Sequence, residues 1–266
     1  MRYGSVCSGV EAATLAWHSL GWQCKFVSEV EPFPCAVLQE RLGASAPINP
    51  LAPEDATDDG DRKMRESWIK QNEFLKKEGV LPNEGDFTKI GKKYAGKIDL
   101  LVGGTPCQDL SVAGKRAGFD GERSSLAIDF VRLAYESKCK WFVWENVPGV
   151  FSSNGGRDFA TLLSLFTGTE IGVPGDGWST AGFVCNARRD RYGVAWRTLD
   201  GQFEASANSG IQTWIDELER IINESKNSGT CTAHSGRCSN SITENDGVQQ
   251  TGVQNSISDT QVQEEK

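Results

Sequence analysis

Strand-like and helix-like segments alternate along the N-terminal half of this chain, and the alternation limits the folds open to it. Apolar, β-prone runs predict strands at residues 2–6, 25–28, 98–102 and 141–144. The segments between and after them predict helices at residues 11–20, 34–42, 62–78 and 125–137. Alternation of this kind is typical of an α/β fold, in which a parallel sheet carries helices on both faces.

Small and acidic residues follow the first two predicted strands. Cys7-Ser8-Gly9 follows the first strand, where glycine permits a tight turn and the close approach of a ligand. Glu29 ends the second strand, twenty residues after Gly9, an offset that suits a carboxylate binding the ribose hydroxyls of a nucleoside. Because the full G-x-G-x-x-G pattern is absent, an ordinary turn and an ordinary strand-end carboxylate are an equally good interpretation.

A thiol and a carboxylate follow the next two predicted strands. Cys107 comes after Pro106, just beyond the third strand, and Glu145 ends the fourth. Ligands of parallel sheets bind at the carboxyl ends of the strands, so this pair predicts covalent catalysis with proton transfer. A lone cysteine is more often an inert core residue, and on the residues alone that alternative stays open.

Taken together and in order, these segments closely resemble the DNA cytosine-5 methyltransferases. The matching motifs are Cys7-Ser8-Gly9-Val10-Glu11-Ala12, Glu29-Val30, Gly85-Asp86-Phe87, Gly104-Thr105-Pro106-Cys107-Gln108 with Ser111, Arg123-Ser124-Ser125-Leu126, and Phe142-Val143-Trp144-Glu145-Asn146-Val147. The most specific element is Pro-Cys-Gln with Glu-Asn-Val, in which Glu145 follows Cys107 by 38 residues. The resemblance implies a Rossmann-like sheet of the S-adenosylmethionine-dependent methyltransferases.

The resemblance also implies roles for individual residues. S-adenosylmethionine would be held by Cys7, Ser8, Gly9, Glu29, Val30, Asp86, Phe87 and Leu126. The substrate cytosine would be held by Pro106, Gln108, Ser111, Asn146 and Val147. Cys107 and Glu145 would be catalytic, and the chemistry requires no metal.

By the same resemblance, the Cys107 thiolate would add to C6 of a cytosine flipped out of duplex DNA. The addition makes C5 nucleophilic enough to accept a methyl group from S-adenosylmethionine. Glu145 would hold the N3/N4 edge of the base and supply an acid in a partly desolvated pocket. Loss of the C5 proton would then release Cys107.

The resemblance covers residues 1–203, predicted to be an incomplete catalytic domain, and then stops. Residues 192–200 resemble the strand that leads to the family's arginine motif for the flipped base, but that motif does not follow. The basic residues nearby, Arg188, Arg189 and Arg191, precede this strand. A target-recognition domain and the C-terminal helix of the cofactor pocket are also expected and not found in the sequence.

Residues 204–266 predict a mostly disordered tail with one helix at 211–223. They hold 10 acidic and 4 basic residues, so −6 of the net charge of −8 lies there and −2 in the rest. No aromatic residue follows Trp214, and such a segment buries too little apolar surface to offset its ordering entropy. Cys231, His234 and Cys238 offer three potential zinc ligands, one short of the usual four.

Several interpretations of the incomplete match stay open. The chain is a truncated or frameshifted methyltransferase, one half of a split enzyme whose second chain brings the missing motifs, or a non-catalytic relic that binds the cofactor. DNA is the expected partner, in a setting such as restriction-modification. A nicotinamide-dependent dehydrogenase is disfavoured by the incomplete glycine pattern.

The eight cysteines are scattered without a disulfide spacing, which favours free thiols in a reducing compartment. The N-terminus shows no signal peptide, and no run approaches the roughly 20 apolar residues of a membrane-spanning helix. We therefore expect a cytoplasmic protein of a bacterial or phage-infected cell, with no membrane partner.

Overall fold

The computed structural model describes residues 1–106, 126–185 and 190–199. Four parallel strands form one sheet in the order β2-β1-β3-β4. They are β1 Arg2–Val6, β2 Gln23–Phe26, β3 Leu100–Gly104 and β4 Trp141–Glu145. An antiparallel pair, β5 Ala181–Val184 and β6 Val194–Arg197, forms a second sheet. The α-helices are α1 Ala12–Trp17, α2 Pro32–Leu42, α3 Asp59–Asn72, α4 Leu126–Ser137 and α5 Arg157–Thr167. The predicted α/β class is confirmed.

Side chains that alternate along the strands cover both faces of the main sheet, because successive residues of a strand point to opposite faces. Leu100 packs with Tyr3 and with Trp17 of α1 in one apolar cluster. Leu101, its neighbour in β3, belongs to the larger cluster that also holds apolar residues of α4 and α5. The predicted arrangement of helices on both faces is therefore present.

Successive strands are added first on one side of β1, as β2, and then on its other side, as β3 and β4. From β1 the chain passes through α1 to β2 on one side, and after α2 and α3 it returns to β3 on the other side of β1. Such a reversal opens a crevice at the carboxyl ends of the two central strands, which is where open parallel sheets bind ligands. Cys7 follows β1, and Thr105 and Pro106 follow β3 at this edge.

Several predicted elements differ in their bounds; the third strand, predicted at 98–102, lies at Leu100–Gly104. The first helix is α-helical only to Trp17 and continues as a 3-10 turn, His18–Leu20. The second strand begins and ends two residues earlier than predicted. Beyond Phe26, Val27 forms an isolated bridge to Asn83, and the Ser28 N–H donates to Ser8 Oγ at 3.0 Å. The charged helix, predicted over 62–78, begins at Asp59, where the Asp58 carboxylate accepts the backbone N–H of Asp61.

That helix also ends six residues early, at Asn72. Gln39 of α2 accounts for the early end, because its amide holds the backbone of Lys76 through two hydrogen bonds of 3.1 Å. The segment after α3 is thus tied to the end of α2. The predicted tail beyond residue 203 and its helix at 211–223 lie outside the described residues. Among the residues that the structure describes, no helix is long and apolar enough to cross a membrane.

Candidate functional site

The turn after β1 is shaped by three residues in the left-handed region of backbone space. Cys7, Gly9 and Glu11 have φ values of 48°, 53° and 64°. Non-glycine residues seldom adopt this conformation, and the strain clusters at ligand sites when it occurs. Ser8 fastens the turn to the end of β2: its N–H donates to the Ser28 carbonyl at 3.1 Å, and its Oγ accepts the Ser28 N–H at 3.0 Å.

The Glu29 carboxylate lies directly beside this turn. Its Oε2 accepts the Gly9 N–H at 2.8 Å, and its Oε1 accepts the N–H groups of Val30 at 2.8 Å and Glu31 at 3.0 Å. The structure thus places Glu29 against Gly9, and the ribose binding predicted from their twenty-residue spacing stays a prediction. Since an ionised carboxylate has about four acceptor positions, three backbone donors leave about one for a further donor such as a ribose hydroxyl.

Asp86 belongs to the same group of residues. Its Oδ1 accepts the backbone N–H of Thr88 at 2.9 Å and the hydroxyl of Thr88 at 2.7 Å. Burial, together with the nearby carboxylates of Glu29 and Asp86, raises the pKa of the Cys7 thiol to about 12. Cys7 is therefore a neutral thiol at pH 7, and the two carboxylates flank it.

The remaining predicted cofactor residues differ in setting. Val30 is half-buried, and its carbonyl accepts a hydrogen bond from the Asn72 side chain at 3.0 Å. Phe87 is buried in the main apolar core, and Leu126 opens α4 and packs against the same core. Phe87 and Leu126 therefore contribute to the wall behind the turn.

At the other central strand, Glu145 of β4 lies over Gly104 of β3. The two residues are register partners, and a Cβ on Gly104 would stand 2.5 Å from Glu145 Oε2. Glycine is therefore required for this position of the carboxylate. Glu145 is exposed in the structure, whereas the resemblance implies a partly desolvated pocket.

Two side chains hold the segment that leads to Cys107. Asn146 donates from Nδ2 to the Thr105 carbonyl at 2.8 Å, and its Oδ1 accepts the Val147 N–H at 2.9 Å. Trp144 donates its indole N–H to Thr105 Oγ1 at 3.0 Å. The carboxyl ends of β3 and β4 are thus joined at Thr105, two residues before Cys107.

The predicted residues of the nucleophile loop are only partly described. Three of its predicted site residues lie outside the described residues: Cys107, Gln108 and Ser111. The same holds for two basic residues before β6, Arg188 and Arg189, and for the three potential zinc ligands of the tail, Cys231, His234 and Cys238. Pro106 and Val147 are described and exposed. Arg191 precedes β6, as predicted, and its guanidinium lies over the Tyr135 ring.

The sequence analysis missed two parts of this site. Asn83 is completely buried and contacts Glu29, and Thr105 and Trp144 form the link between β3 and β4. No familiar motif marks Asn83, and its one signal is its position two residues before Gly85. Thr105 and Trp144 lie inside identified motifs, but the resemblance gave them no role.

The cysteines and potential metal ligands are reported for the described chain alone. Cys7, Cys24, Cys35, Cys139 and Cys185 are free thiols. Within the described ranges, no group of three or more His, Cys, Asp or Glu side chains is placed to hold a metal ion.

The sequence around the third and fourth strands matches a known protein family. The model of the family described as C-5 cytosine-specific DNA methylase matches residues 66–194, which include Cys107 and Glu145. The resemblance predicted from the motifs is thereby confirmed.

Three curated relatives are similar to this chain. A DNA N-6-adenine-methyltransferase of Escherichia phage P1 is 34% identical over 237 residues, covering 76% of this chain and 26% of that protein. The orphan methyltransferase M.SPRI of Bacillus phage SPR is 42% identical over 90 residues, or 34% of this chain and 20% of the relative. The type II methyltransferase M.AquIA of Picosynechococcus is 29% identical over 160 residues, or 60% and 54%.

The chain therefore spans between about a fifth and a half of the length of these relatives. All three are methyltransferases by name, in agreement with the predicted class of enzyme.

Proposed function

We propose that this relative of the C-5 cytosine-specific DNA methylases transfers a methyl group from S-adenosylmethionine to C5 of cytosine in DNA, through a covalent bond to Cys107. The observation that carries the proposal is the convergence of two groups at one sheet edge. The turn after β1 contacts Glu29 through Gly9, and Asp86 lies near enough to Cys7 to affect its thiol. Thr105, which follows β3, is held by Asn146, the neighbour of Glu145.

The donor set of the first group fits the cofactor. Glu29 has acceptor capacity left for a ribose hydroxyl, and Asp86 has its second carboxylate oxygen for an N–H donor such as an adenine amine. Val30 is half-buried, so part of its apolar side chain is accessible to a purine ring. S-adenosylmethionine, held there, supplies the methyl group.

The chain's own residues would perform the remaining steps on the cytosine. Cys107 sulfur forms a bond to C6, and the electron pair displaced from the C5–C6 bond makes C5 the nucleophile that takes the methyl group. Glu145 holds the N3/N4 edge and supplies a proton to the ring as the adduct forms. When a base such as water takes the C5 proton, the C5–C6 double bond returns, Cys107 leaves as the thiolate, and the ring gives its added proton back to Glu145.

The adenine activity named for the phage P1 relative is not carried over. This chain aligns with about a quarter of that protein, and the family model that matches residues 66–194 is described as cytosine-specific. The product nucleoside therefore distinguishes the two: 5-methylcytosine is expected, and N6-methyladenine would contradict the proposal.

The test is transfer of a labelled methyl group to mixed-sequence DNA, followed by digestion to nucleosides. We expect label in 5-methylcytosine with the wild type and with Cys139→Ser, a matched change at a buried core cysteine between α4 and β4. Cys107→Ser should abolish the label, and equal activity of that variant would refute the covalent mechanism. Absence of label from folded wild type would overturn activity of this chain alone and favour the split-enzyme or relic alternative.

A further inference from the structure

Asn83 has a completely buried polar side chain, which lies between the backbones of Glu29 and Gly85. Its segment runs parallel to the end of β2, where it forms an isolated bridge to Val27. The side-chain oxygen Oδ1 accepts two backbone N–H groups, those of Glu29 and Gly85, each at 3.0 Å. One oxygen atom thus joins the backbone of Glu29 to the residue that precedes Asp86.

The other polar groups of Asn83 are also engaged. Its Nδ2 donates to Cys35 Sγ at 3.5 Å, its N–H donates to Ser45 Oγ at 3.0 Å, and its carbonyl accepts the Ile48 N–H at 2.9 Å. A side chain held by three hydrogen bonds, on a backbone held by two more, has little freedom to rotate. The spacing between the Glu29 and Gly85 backbones is therefore set by a rigid bridge.

The turn next to this bridge cannot adjust freely either. Gly85 has a φ of 73°, and a Cβ there would stand 2.1 Å from the Asn49 carbonyl oxygen. Ser28 donates its hydroxyl to the Gly85 carbonyl from the end of β2. The backbone that carries Asp86 is therefore positioned by the Asn83 bridge and by packing of Gly85 against Asn49.

We propose that Asn83 is a positioning residue for S-adenosylmethionine, which fixes the distance between the ribose-binding Glu29 and the adenine-binding Asp86 without touching the ligand. This inference rests on the proposed function, because it takes the Glu29 and Asp86 side chains as the nucleoside contacts. Its consequence is that Asn83 controls the affinity for the nucleoside through those two residues. Replacing Asn83 should weaken binding by more than the loss of stability explains.

The experiment measures the dissociation constant of S-adenosylhomocysteine for the full chain by calorimetry. We expect Asn83→Ala to weaken binding about tenfold, equivalent to about 1.4 kcal/mol. The matched control is Ser45→Ala, which removes the acceptor of the Asn83 backbone N–H and leaves the Oδ1 bridge in place. This control should lower the unfolding temperature and change the affinity by less than about twofold.

Two further measurements separate positioning from general support of the fold. In a Glu29→Ala background, Asn83→Ala should weaken binding by no more than about threefold, because one of its two routes to the ligand is gone. Amide hydrogen exchange at Glu29 and Gly85 should accelerate in Asn83→Ala and stay unchanged in Ser45→Ala. If Asn83→Ala does not fold, Asn83→Ser replaces it, since its oxygen lies one bond nearer the backbone.

The outcomes distinguish this inference from the proposed function. Wild-type binding with equal affinity in Asn83→Ala and Ser45→Ala would overturn the role of Asn83 and leave the proposed function standing. An undiminished effect in the Glu29→Ala background would also overturn it. Failure of the folded wild type to bind S-adenosylhomocysteine would overturn both.

Discussion

Two adjacent glycines at the end of β3 should respond in opposite ways to the same substitution. A Cβ on Gly103 would stand 2.4 Å from the Val6 carbonyl oxygen, whereas a Cβ on Gly104 would stand 2.5 Å from Glu145 Oε2. Each contact must open by about 1 Å to reach ordinary van der Waals distance at 3.4 Å. The first obstacle is backbone of a central strand, and the second is the end of a flexible side chain.

We therefore expect Gly103→Ala to destabilise the fold by about 3 kcal/mol or more, at the upper end of overpacking costs, because β1 and β3 must separate. Gly104→Ala should change the free energy of unfolding by less than about 1 kcal/mol. Moving Glu145 to another rotamer costs about 0.5–1.5 kcal/mol, and the lower entropy of the unfolded chain offsets about 0.4–1 kcal/mol.

The assay is urea denaturation of both variants beside the wild type, followed by the methyl-transfer assay on those that fold. Gly104→Ala should be stable yet impaired in methyl transfer, since its Glu145 carboxylate is displaced. Equal destabilisation by both substitutions would refute the argument that the side chain yields and the backbone does not. Full activity of Gly104→Ala would show that the observed position of Glu145 is not needed for the reaction.

Three further predictions concern charge and protonation. Asp99→Asn should cost about 1 kcal/mol at pH 7 in urea denaturation, because the paired Arg2 guanidinium holds the pKa of Asp99 well below its usual range. This difference in unfolding free energy should shrink as the pH falls below about 4, the pKa of Asp99 in the unfolded chain, towards its lower pKa in the folded protein. A difference that does not change with pH would contradict the ion pair with Arg2. Burial raises the pKa of Glu11, so ionising its carboxyl group destabilises the folded protein. The wild type should therefore lose stability relative to Glu11→Gln as the pH rises from about 4 to 7, and an equal pH dependence of unfolding free energy in both proteins would contradict this. At pH 8 in folded protein, iodoacetamide should leave Cys7 unmodified because its thiol is neutral, and rapid alkylation mapped by mass spectrometry would disprove that protonation state.

The sequence predicted the four strands of the main sheet because each is a local apolar run, although the second and third lie two residues from their predicted bounds. Leu100 and Leu101 are both apolar and fill opposite faces of a sheet buried on both sides, so the run was visible without tertiary information. The end of α3 was wrong because the side chain that holds Lys76 belongs to Gln39, 37 residues away. Such a contact leaves no trace in helical periodicity.

The candidate site was predictable to a similar extent. The spacing of Gly9 and Glu29 singled out both residues as cofactor-binding candidates, and the structure brings them into a contact that was not itself predicted. Asn83 could not be found in this way, because an asparagine in a loop is common and its importance depends on two N–H groups brought together by folding. The roles of the predicted cofactor, catalytic and substrate residues stay predictions, as does the division of the chain at residue 203.

The most direct test of the central claim is the thermal unfolding of the wild type with S-adenosylhomocysteine, compared with NAD. At a ligand concentration about 100 times the dissociation constant, binding adds about 2.7 kcal/mol, which raises the unfolding temperature by roughly 5–10 °C in a domain of this size. We expect that shift with S-adenosylhomocysteine alone, and we expect Glu145→Gln to retain it because Glu145 lies outside the nucleoside contacts. A shift with NAD, or none with S-adenosylhomocysteine, would contradict a methyltransferase cofactor site at this edge of the sheet.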